Sequence, residues 1–251
     1  MVDSRQTNVS GHEPMDFIGV DACKKGWFAV ALVSENNWKI GVFNTLGDLW
    51  NLWNPLGIIF IDIPIGLPDS GRRACDIGAR KILGKRGSSV FPAPSRPALA
   101  AGTYRRACQI NQRVTGVKLS IQTWNICAQI REIDSWLRHN PAVQPRVRES
   151  HPEICFWALA GGHAMSSPKK TVTGFEERYR VLDNNCPQTG HILRQALDQF
   201  RRSELARDDI LDALALAVSA RRPLESIRTI PPDPPRDENG LPMEIVYSLL
   251  E

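Results

Sequence analysis

The pattern of hydrophobic and polar positions predicts three strands near the start of the chain. Residues 17–21 (FIGVD), 27–34 (WFAVALVS) and 38–43 (WKIGVF) are rich in β-branched and aromatic residues, as strands are. The links between them are short, and Asn36-Asn37 suits a tight turn. Because short links join antiparallel neighbours, we expect an antiparallel meander.

A helix and a buried strand follow the meander. Residues 45–53 (TLGDLWNLW) place leucine and tryptophan at helical spacing, with Thr45 as the N-cap. Residues 57–66 (GIIFIDIPIG) are apolar except for Asp62, which is typical of a central strand covered on both faces. A helical crossover after a meander predicts that strand 57–62 lies beside the first strand and parallel to it, in a mixed α/β sheet.

Residues 66–148 interrupt this succession of predicted strands and helices. The segment begins with a stretch rich in glycine, proline and basic residues, and it continues into an amphipathic helical stretch at 120–139. There the apolar residues recur every three or four positions on one face. They are Ile121, Trp124, Ile126, Ile130, Ile133 and Leu137. We therefore predict a mostly helical subdomain inserted into a single domain at 16–251.

The remainder of the chain is mainly helical. Residues 145–162 predict a short strand and then a helix, and further helices are expected at 174–184, 190–202 and 207–223. The last of these stops at Pro223, and its apolar run ALALAVSA predicts that it is packed inside the fold. The proline-rich residues 228–242 are not expected to form regular structure, and MEIVYSLL is expected to form a last strand.

Charge is divided unevenly along the chain. Residues 66–148 contain 15 Lys and Arg against 4 Asp and Glu, a local charge of +11, whereas the rest holds 16 basic and 23 acidic residues, or −7. A basic block beside an acidic one predicts a polyanion held near a cation-binding site. A solvated basic surface on helices is an equally good explanation of the charge alone.

The composition gives expectations about the compartment in which the protein works. No apolar run approaches the roughly 20 residues that span a bilayer, so we expect no membrane partner. Residues 1–15 are polar, without the apolar core of a signal peptide, and are expected to be a mobile tail. The six cysteines form no C-x-x-C pair, so zinc-ligand spacing is absent and a reduced, cytoplasmic protein is expected.

Four carboxylates stand at positions that suit a metal site. Asp21 ends the first predicted strand, Asp62 lies near the end of the buried strand, and Asp209 and Asp212 share a face at the start of the last helix. Carboxylate oxygens suit Mg²⁺ or Mn²⁺. Taken singly, Asp21 and Asp62 also suit turns and Asp209 suits a helix N-terminus, an explanation that we favour for Asp208.

The order of several sequence blocks resembles the DUF429 family, described as predicted nucleases of the RNase H-like fold. The blocks are IGVDACKKGW, FIDIPIGLP, CDIGARKILGKRGSSVFPAPSR, RESHPE, SPKKTVTGFEERYRVL and DDILDALALAVSA, and they cover about residues 16–248. The D-x-x-D helix also resembles the last helix of Holliday-junction resolvases, where an acidic pair binds metal.

The resemblance implies a catalytic, metal-binding set made of Asp21, Asp62, Asp209 and Asp212. Asp62 stands where the resolvases have glutamate, which shortens its reach by one methylene. The mechanism implied is two-metal hydrolysis of a phosphodiester, with the ions about 4 Å apart.

The block RESHPE supplies further catalytic candidates. It contains Glu149, His151 and Glu153, and His151 is a candidate for proton transfer because histidine titrates near neutral pH. The alternative is that Pro152 begins a helix and that Glu153 interacts with the helix dipole.

Basic residues at two places are candidates for binding the substrate phosphates. Arg73, Arg80, Lys85 and Arg86 lie in the basic segment. Lys169 and Lys170, with Arg178, are candidates for holding a phosphate or for stabilising developing charge, although a solvated face explains them equally.

These observations predict a metal-dependent nuclease that acts on DNA or RNA. The alternative is a non-catalytic nucleic-acid or nucleotide-binding module on the same fold. A phosphotransferase of the actin-like type is disfavoured because no glycine-rich phosphate loop follows Asp21.

Overall fold

A computed structural model describes residues 16–34 and 36–250 of the chain. The tail predicted at 1–15 lies outside these residues. Within them, no helix is both long enough and apolar enough to cross a membrane.

The described residues contain a five-stranded mixed sheet. Its strands are β1 (Phe17–Cys23), β2 (Gly26–Ser34), β3 (Asn37–Phe43), β4 (Ile59–Ile61) and β5 (Val147–Glu149). Their order across the sheet is β3-β2-β1-β4-β5. The pairs β1–β2 and β2–β3 are antiparallel, whereas β1–β4 and β4–β5 are parallel. The predicted meander and the parallel strand beside β1 are therefore confirmed.

The first strand extends further than predicted. It does not end at Asp21, because Asp21, Ala22 and Cys23 continue to pair with β2. Pairing with β4 stops earlier, at Val20. Asp21 therefore lies one residue past the last residue of β1 that pairs with β4, while its own backbone still pairs with β2.

Helices cover both faces of the sheet. They are α1 (Leu46–Trp53), α2 (Ala74–Leu83), α3 (Arg96–Leu99), α4 (Tyr104–Thr115), α5 (Ile121–Asn125), α6 (Cys127–His139), α7 (Pro152–Leu159), α8 (Val172–Asn185), α9 (Thr189–Gln199) and α10 (Arg207–Ala220). Short 3₁₀ turns lie at Gly84–Ser89, Pro141–Arg146 and Leu224–Ser226. Thr45 caps α1 as predicted, in a reciprocal pair with Asp48.

The residues between β4 and β5 are helical, as the sequence predicts for the basic segment. The amphipathic stretch predicted at 120–139 is divided into α5 and α6, since the backbone departs from helical geometry at Ile126. The apolar face of α6, with Ile130 and Ile133, packs in the same core as Ile18 and Val20 of the sheet. These helices therefore help to cover one face of the sheet.

The opposite face is covered chiefly by α7, α8, α9 and α10. All positions of α10 from Ile210 to Ala220 are buried, which confirms the expectation from its apolar run. The helix ends at Ala220, three residues before Pro223.

One expectation for the end of the chain is wrong. Residues 227–230 form a strand, β6 (Ile227–Ile230), that pairs antiparallel with β7 (Ile245–Ser248) in a separate two-stranded sheet. The first proline of the segment is Pro231, so Arg228, Thr229 and Ile230 keep the backbone N–H groups that a strand needs. The last strand predicted in MEIVYSLL is confirmed.

Candidate active site

Two of the four predicted carboxylates come from neighbouring parallel strands. Val20 lies opposite Ile61 in the β1–β4 pair, and the backbone N–H of Asp62 donates to the carbonyl of Val20 at 2.9 Å. Asp21 and Asp62 are the next residues after this pair. They therefore occupy corresponding positions at the same edge of the sheet, where the ends of parallel strands meet.

The other two carboxylates are brought to this edge by α10. A Cβ added to Gly19 of β1 would lie 1.9 Å from the carbonyl oxygen of Ala213. Only glycine therefore lets α10 approach β1 this closely. Asp212 precedes Ala213, and Asp209 lies one turn earlier, where its carboxylate accepts a hydrogen bond from the backbone N–H of Ala206 at 3.1 Å.

All four carboxylates line one cleft of about 480 Å³. Asp21 and Asp212 are buried, with 6% and 2% exposed, and Asp62 and Asp209 are half-buried. Burial raises the pKa of Asp21 well above its usual range, and the charges of Asp62 and Asp212 raise it further. The carboxylates are therefore close enough to repel one another.

The pKa of Asp212 is raised for the same reasons as that of Asp21. Burial raises the pKa of Asp212 to about 6, although Lys169 acts in the opposite direction, and Asp62 and Glu153 add to the rise. The pKa of Asp62 is also raised, by burial, against the influence of His151 and Lys169. The cleft thus concentrates negative charge where water does not fully solvate it.

For Asp209, burial is again the largest cause of a raised pKa. The hydrogen bond from Ala206 opposes this rise, and the neighbouring charge of Asp208 adds to it. Asp208 lies in the first turn of α10, as we favoured, but Asp209 is the residue whose carboxylate accepts the hydrogen bond from the Ala206 N–H. Asp208 lies instead 3.8 Å from the ammonium group of Lys169.

The sequence names Lys169 as a candidate for binding a phosphate but does not predict its contact with Asp212. Its ammonium group donates a short hydrogen bond to the Asp212 carboxylate. Burial works against the charged ammonium, but the carboxylates of Asp212 and Asp21 outweigh it and hold the pKa of Lys169 above its ordinary value. Lys169 is therefore the counter-cation of the cluster.

The loop that carries Lys169 is held by a close backbone contact. A Cβ added to Gly174 of α8 would lie 2.0 Å from the carbonyl oxygen of Pro168, so glycine is needed there as well. Thr171 caps α8 by accepting from the backbone N–H of Gly174 at 3.0 Å. The loop is thus fixed to the start of α8 immediately beside Lys169.

His151 and Glu153 lie at the start of α7, as the alternative explanation of RESHPE predicts. The ring Nδ1 of His151 accepts from the backbone N–H of Glu153 at 3.2 Å, so His151 caps the helix. Both side chains nevertheless line the cleft. Glu153 is ion-paired with Arg178, which is buried and bound to backbone carbonyls as well.

Arg73 is not free to contact a phosphate. Its side chain is 1% exposed, and it pairs with Asp76 at 2.5 Å and with Glu149 at 2.6 Å. Its remaining donors bind the carbonyls of Ile65 and Gly66. The prediction of a phosphate contact at Arg73 is therefore replaced by a structural role, because every guanidinium N–H group has a partner within the fold.

The other predicted cations differ in how available they are. Arg80 donates to the carbonyl of Val90 at 2.7 Å and supports a loop. Arg86 lines the cleft with its guanidinium 3.7 Å from Glu153. Lys170 also lines the cleft, and both it and Lys85 are exposed. Arg86, Lys170 and Lys85 are the members of the predicted set that a ligand can reach.

The donors in the cleft have the right chemistry for a hard divalent cation, since they are carboxylate oxygens in crowded, partly desolvated positions. Among residues 16–34 and 36–250, however, no three His, Cys, Asp or Glu side chains are grouped so that they would hold a metal ion directly. The ammonium group of Lys169 contacts Asp212 instead. The residues therefore fit Mg²⁺ or Mn²⁺ in kind, and Lys169 already offsets part of their charge.

Comparison with known proteins gives one match. Searches of curated proteins and of solved structures return no similar protein. A family model described as "Protein of unknown function (DUF429)" matches residues 19–236, which include most of β1, all of β2 to β6 and every residue of the carboxylate cluster. The chain therefore belongs to the DUF429 family.

Proposed function

We propose that this protein is a divalent-metal-dependent hydrolase of phosphodiester bonds in nucleic acid, on an RNase H-like fold. The observation that carries the proposal is the convergence of Asp21, Asp62, Asp209 and Asp212, from two strands and one helix, on a single cleft. Their mutual repulsion in a buried position is the condition that a divalent cation relieves.

The topology of the sheet supports the RNase H-like assignment that the resemblance implies. An antiparallel meander, β1 to β3, is continued on the other side of β1 by the parallel strands β4 and β5. The carboxylates lie where the pairing of β1 with β4 ends and where α10 crosses β1. A cleft at the carboxyl ends of parallel strands is also where ligands of open α/β sheets bind.

The four aspartates would hold Mg²⁺ or Mn²⁺. Bound ions of this type supply an activated water and stabilise the leaving oxygen in phosphodiester hydrolysis. Asp212 would act as a ligand only without its contact to Lys169, whose ammonium group would then be available to the substrate phosphate. We assign the exchange of a proton with solvent to His151, which lines the cleft close enough to Asp62 to act on the pKa of that carboxyl.

Binding of the substrate backbone is assigned to the cations that a ligand can reach. Lys170 lines the cleft, and Lys85 is exposed on the 3₁₀ turn Gly84–Ser89. They belong to two separate segments of the chain. Contacts of this kind fix the position of a nucleic acid without reading its sequence.

A second candidate is a non-catalytic nucleic-acid or nucleotide-binding module. The observation that favours it is the contact between Lys169 and Asp212, since an internal cation already offsets part of the cluster's charge. The two candidates differ in metal dependence, because only the hydrolase needs a divalent ion to act.

The experiment is a thermal melt of the protein with EDTA or with Mn²⁺, together with hydrolysis assays on single- and double-stranded DNA and RNA. We expect Mn²⁺ to raise the melting temperature and to be required for hydrolysis, because a ligand of the native state stabilises it. Asp21→Asn should abolish both effects. Asp48→Asn, an exposed capping residue of α1, is the matched control and should abolish neither. If Mn²⁺ leaves the melting temperature unchanged and no hydrolysis is detected, the result contradicts the hydrolase and favours the binding module.

We also propose that the protein works in the cytoplasm. All six cysteines lie in the described part of the chain and are free thiols. Free, mostly buried thiols are typical of a reducing compartment.

A further inference from the structure

The cleft has a second wall that the carboxylate chemistry does not use. Besides the aspartates, the cleft is lined by apolar side chains that form this apolar wall: Ile63, Pro64, Val90, Phe91, Ile126 and Ile245. A site for metal ions and a phosphate alone needs no apolar wall. The volume of about 480 Å³ falls within the range of small-molecule sites. The wall therefore points to a ligand with an apolar, nucleotide-sized part.

Phe91 is the exposed aromatic residue of this wall, with 42% of its surface accessible. The chain on both sides of it is held in place. The carbonyl of Val90 accepts from Arg80 at 2.7 Å, and the carbonyl of Pro92 accepts from the Thr123 hydroxyl at 3.1 Å. An aromatic ring on a fixed support is a suitable platform for stacking a nucleobase.

Two buried polar atoms of residues that line the cleft have no hydrogen-bond partner in the structure. They are Oε2 of Glu153 and Nε of Arg86, whose residues both line the cleft. Glu153 is only 5% exposed, and its Oε1 is the oxygen that binds Arg178. A buried carboxylate oxygen without a donor is unfavourable, and a shift of the Arg86 side chain, which is 22% exposed, would let a ligand reach it and supply one.

An acceptor and a donor side by side complement the edge of a nucleobase, on which N–H groups and acceptor atoms are neighbours. Arg86 and Glu153 lie next to each other, with Nη2 of the arginine 3.7 Å from Oε1 of the glutamate. The apolar wall would then receive the face of the base, and this pair would receive its edge.

We propose that the cleft binds one unstacked nucleotide, with its base against Phe91 and its edge toward Glu153 and Arg86, and with its phosphate at the aspartates. The inference rests on the proposed function and extends it to a substrate class: a single strand, or a nucleotide extruded from a duplex. An intact duplex keeps its bases stacked inside and presents none to such a wall.

The experiment compares two labelled 12-nucleotide single strands in buffer with Ca²⁺, one of normal sequence and one in which every base is missing. Both strands carry the same charge, so the difference between them reports base contacts alone. Stacking of one base is worth about 1–3 kcal/mol, so we expect the protein to bind the normal strand at least about fivefold more tightly. Phe91→Ala should remove this preference, and Phe91→Trp should restore it.

Leu52→Ala is the control, because Leu52 is an exposed apolar side chain of α1 and does not line the cleft. It should keep the preference for the normal strand. A fully paired duplex should bind more weakly than a duplex with one unpaired, bulged nucleotide.

The outcomes separate the inference from the function on which it rests. Equal binding of the normal and baseless strands by the parent protein would overturn the base pocket, even if hydrolysis were metal-dependent. A base preference that Phe91→Ala leaves unchanged would overturn it as well. A preference lost in Phe91→Ala without any metal-dependent hydrolysis would support the pocket and contradict the hydrolase.

Discussion

Asp212→Asn tests the electrostatic account of the carboxylate cluster most directly. The change removes one negative charge but leaves the size of the side chain nearly unchanged. In the metal-free parent, burial raises the pKa of Asp212 to about 6, even with Lys169 in contact. Keeping Asp212 ionised therefore costs folding free energy, and asparagine does not carry this cost.

The magnitude follows from the size of the shift. An aspartate pKa raised from 3.8 to about 6 corresponds to about 3 kcal/mol. The pKa of Asp212 is higher in the folded protein than in the unfolded one. The parent's free energy of unfolding is therefore highest below about pH 4, where Asp212 is protonated in both states, and it falls as the pH rises through 6. The variant should therefore match the parent near pH 4 and exceed its free energy of unfolding by up to about 3 kcal/mol at pH 8. That difference corresponds to roughly 6–12 °C in melting temperature for a chain of this length.

The assay is urea unfolding in EDTA between pH 4 and 8.5, repeated with excess Mn²⁺. At a concentration 100 times its Kd, Mn²⁺ should stabilise the parent by about 2.7 kcal/mol, and the variant should lose most of this gain. Asp237→Asn is a control for which we expect the opposite change in the free energy of unfolding. Asp237 accepts from the backbone N–H groups of Leu67 and Leu241, each at 3.0 Å, and pairs with Arg96, so its change should destabilise the protein with or without metal.

The result that refutes the reasoning is a variant less stable than the parent at pH 8 in EDTA. It would mean that the contact between Lys169 and Asp212 outweighs the repulsion among the carboxylates. Stability differences that do not change with pH would also be inconsistent, because the argument depends on the ionisation of Asp212.

Three further predictions follow from the contacts in and around the cleft. Lys169→Met removes the cation that competes with metal, so calorimetry should find Mn²⁺ binding tighter by about tenfold, or 1.4 kcal/mol; an unchanged Kd would mean that Lys169 and the metal do not compete. The double change Lys85→Ala and Lys170→Ala should lower the slope of log K against log salt for nucleic-acid binding by about two units, one for each lost phosphate contact. A slope equal to the parent's would leave both lysines as solvated surface. Arg73→Met leaves two buried carboxylates without their cation and should reduce the free energy of unfolding by about 3–5 kcal/mol, as measured with urea; a loss under about 1 kcal/mol would contradict the structural role.

The sequence alone determined much of the framework, because its signals are local. Alternation and short links predict the meander, since side chains of a strand alternate between faces and short links allow only antiparallel pairing. The run ALALAVSA predicts a buried α10, because a helix that is apolar all round has no face for water. The four aspartates were found in the same way, as charges that interrupt or border apolar runs.

What the sequence could not determine were the partners of charged groups that lie far apart along the chain. Lys169 and Asp212 are separated by 43 residues, and Arg73 and Glu149 by 76. Nothing in the local pattern distinguishes Arg73, which is buried in ion pairs, from Lys85, which is exposed. The same limit applies to Phe91, because an aromatic residue in a loop predicts neither a cleft nor what lies opposite.

Only the tertiary structure decides these questions, and the physical reason is packing across the sheet. Gly19 allows α10 to lie against β1, and Gly174 holds the Pro168 loop so that Lys169 reaches the cluster. Each is a single close contact between distant segments. Hydrophobic periodicity records which side of an element is buried, but the identity of the group on the other side depends on how the whole chain packs.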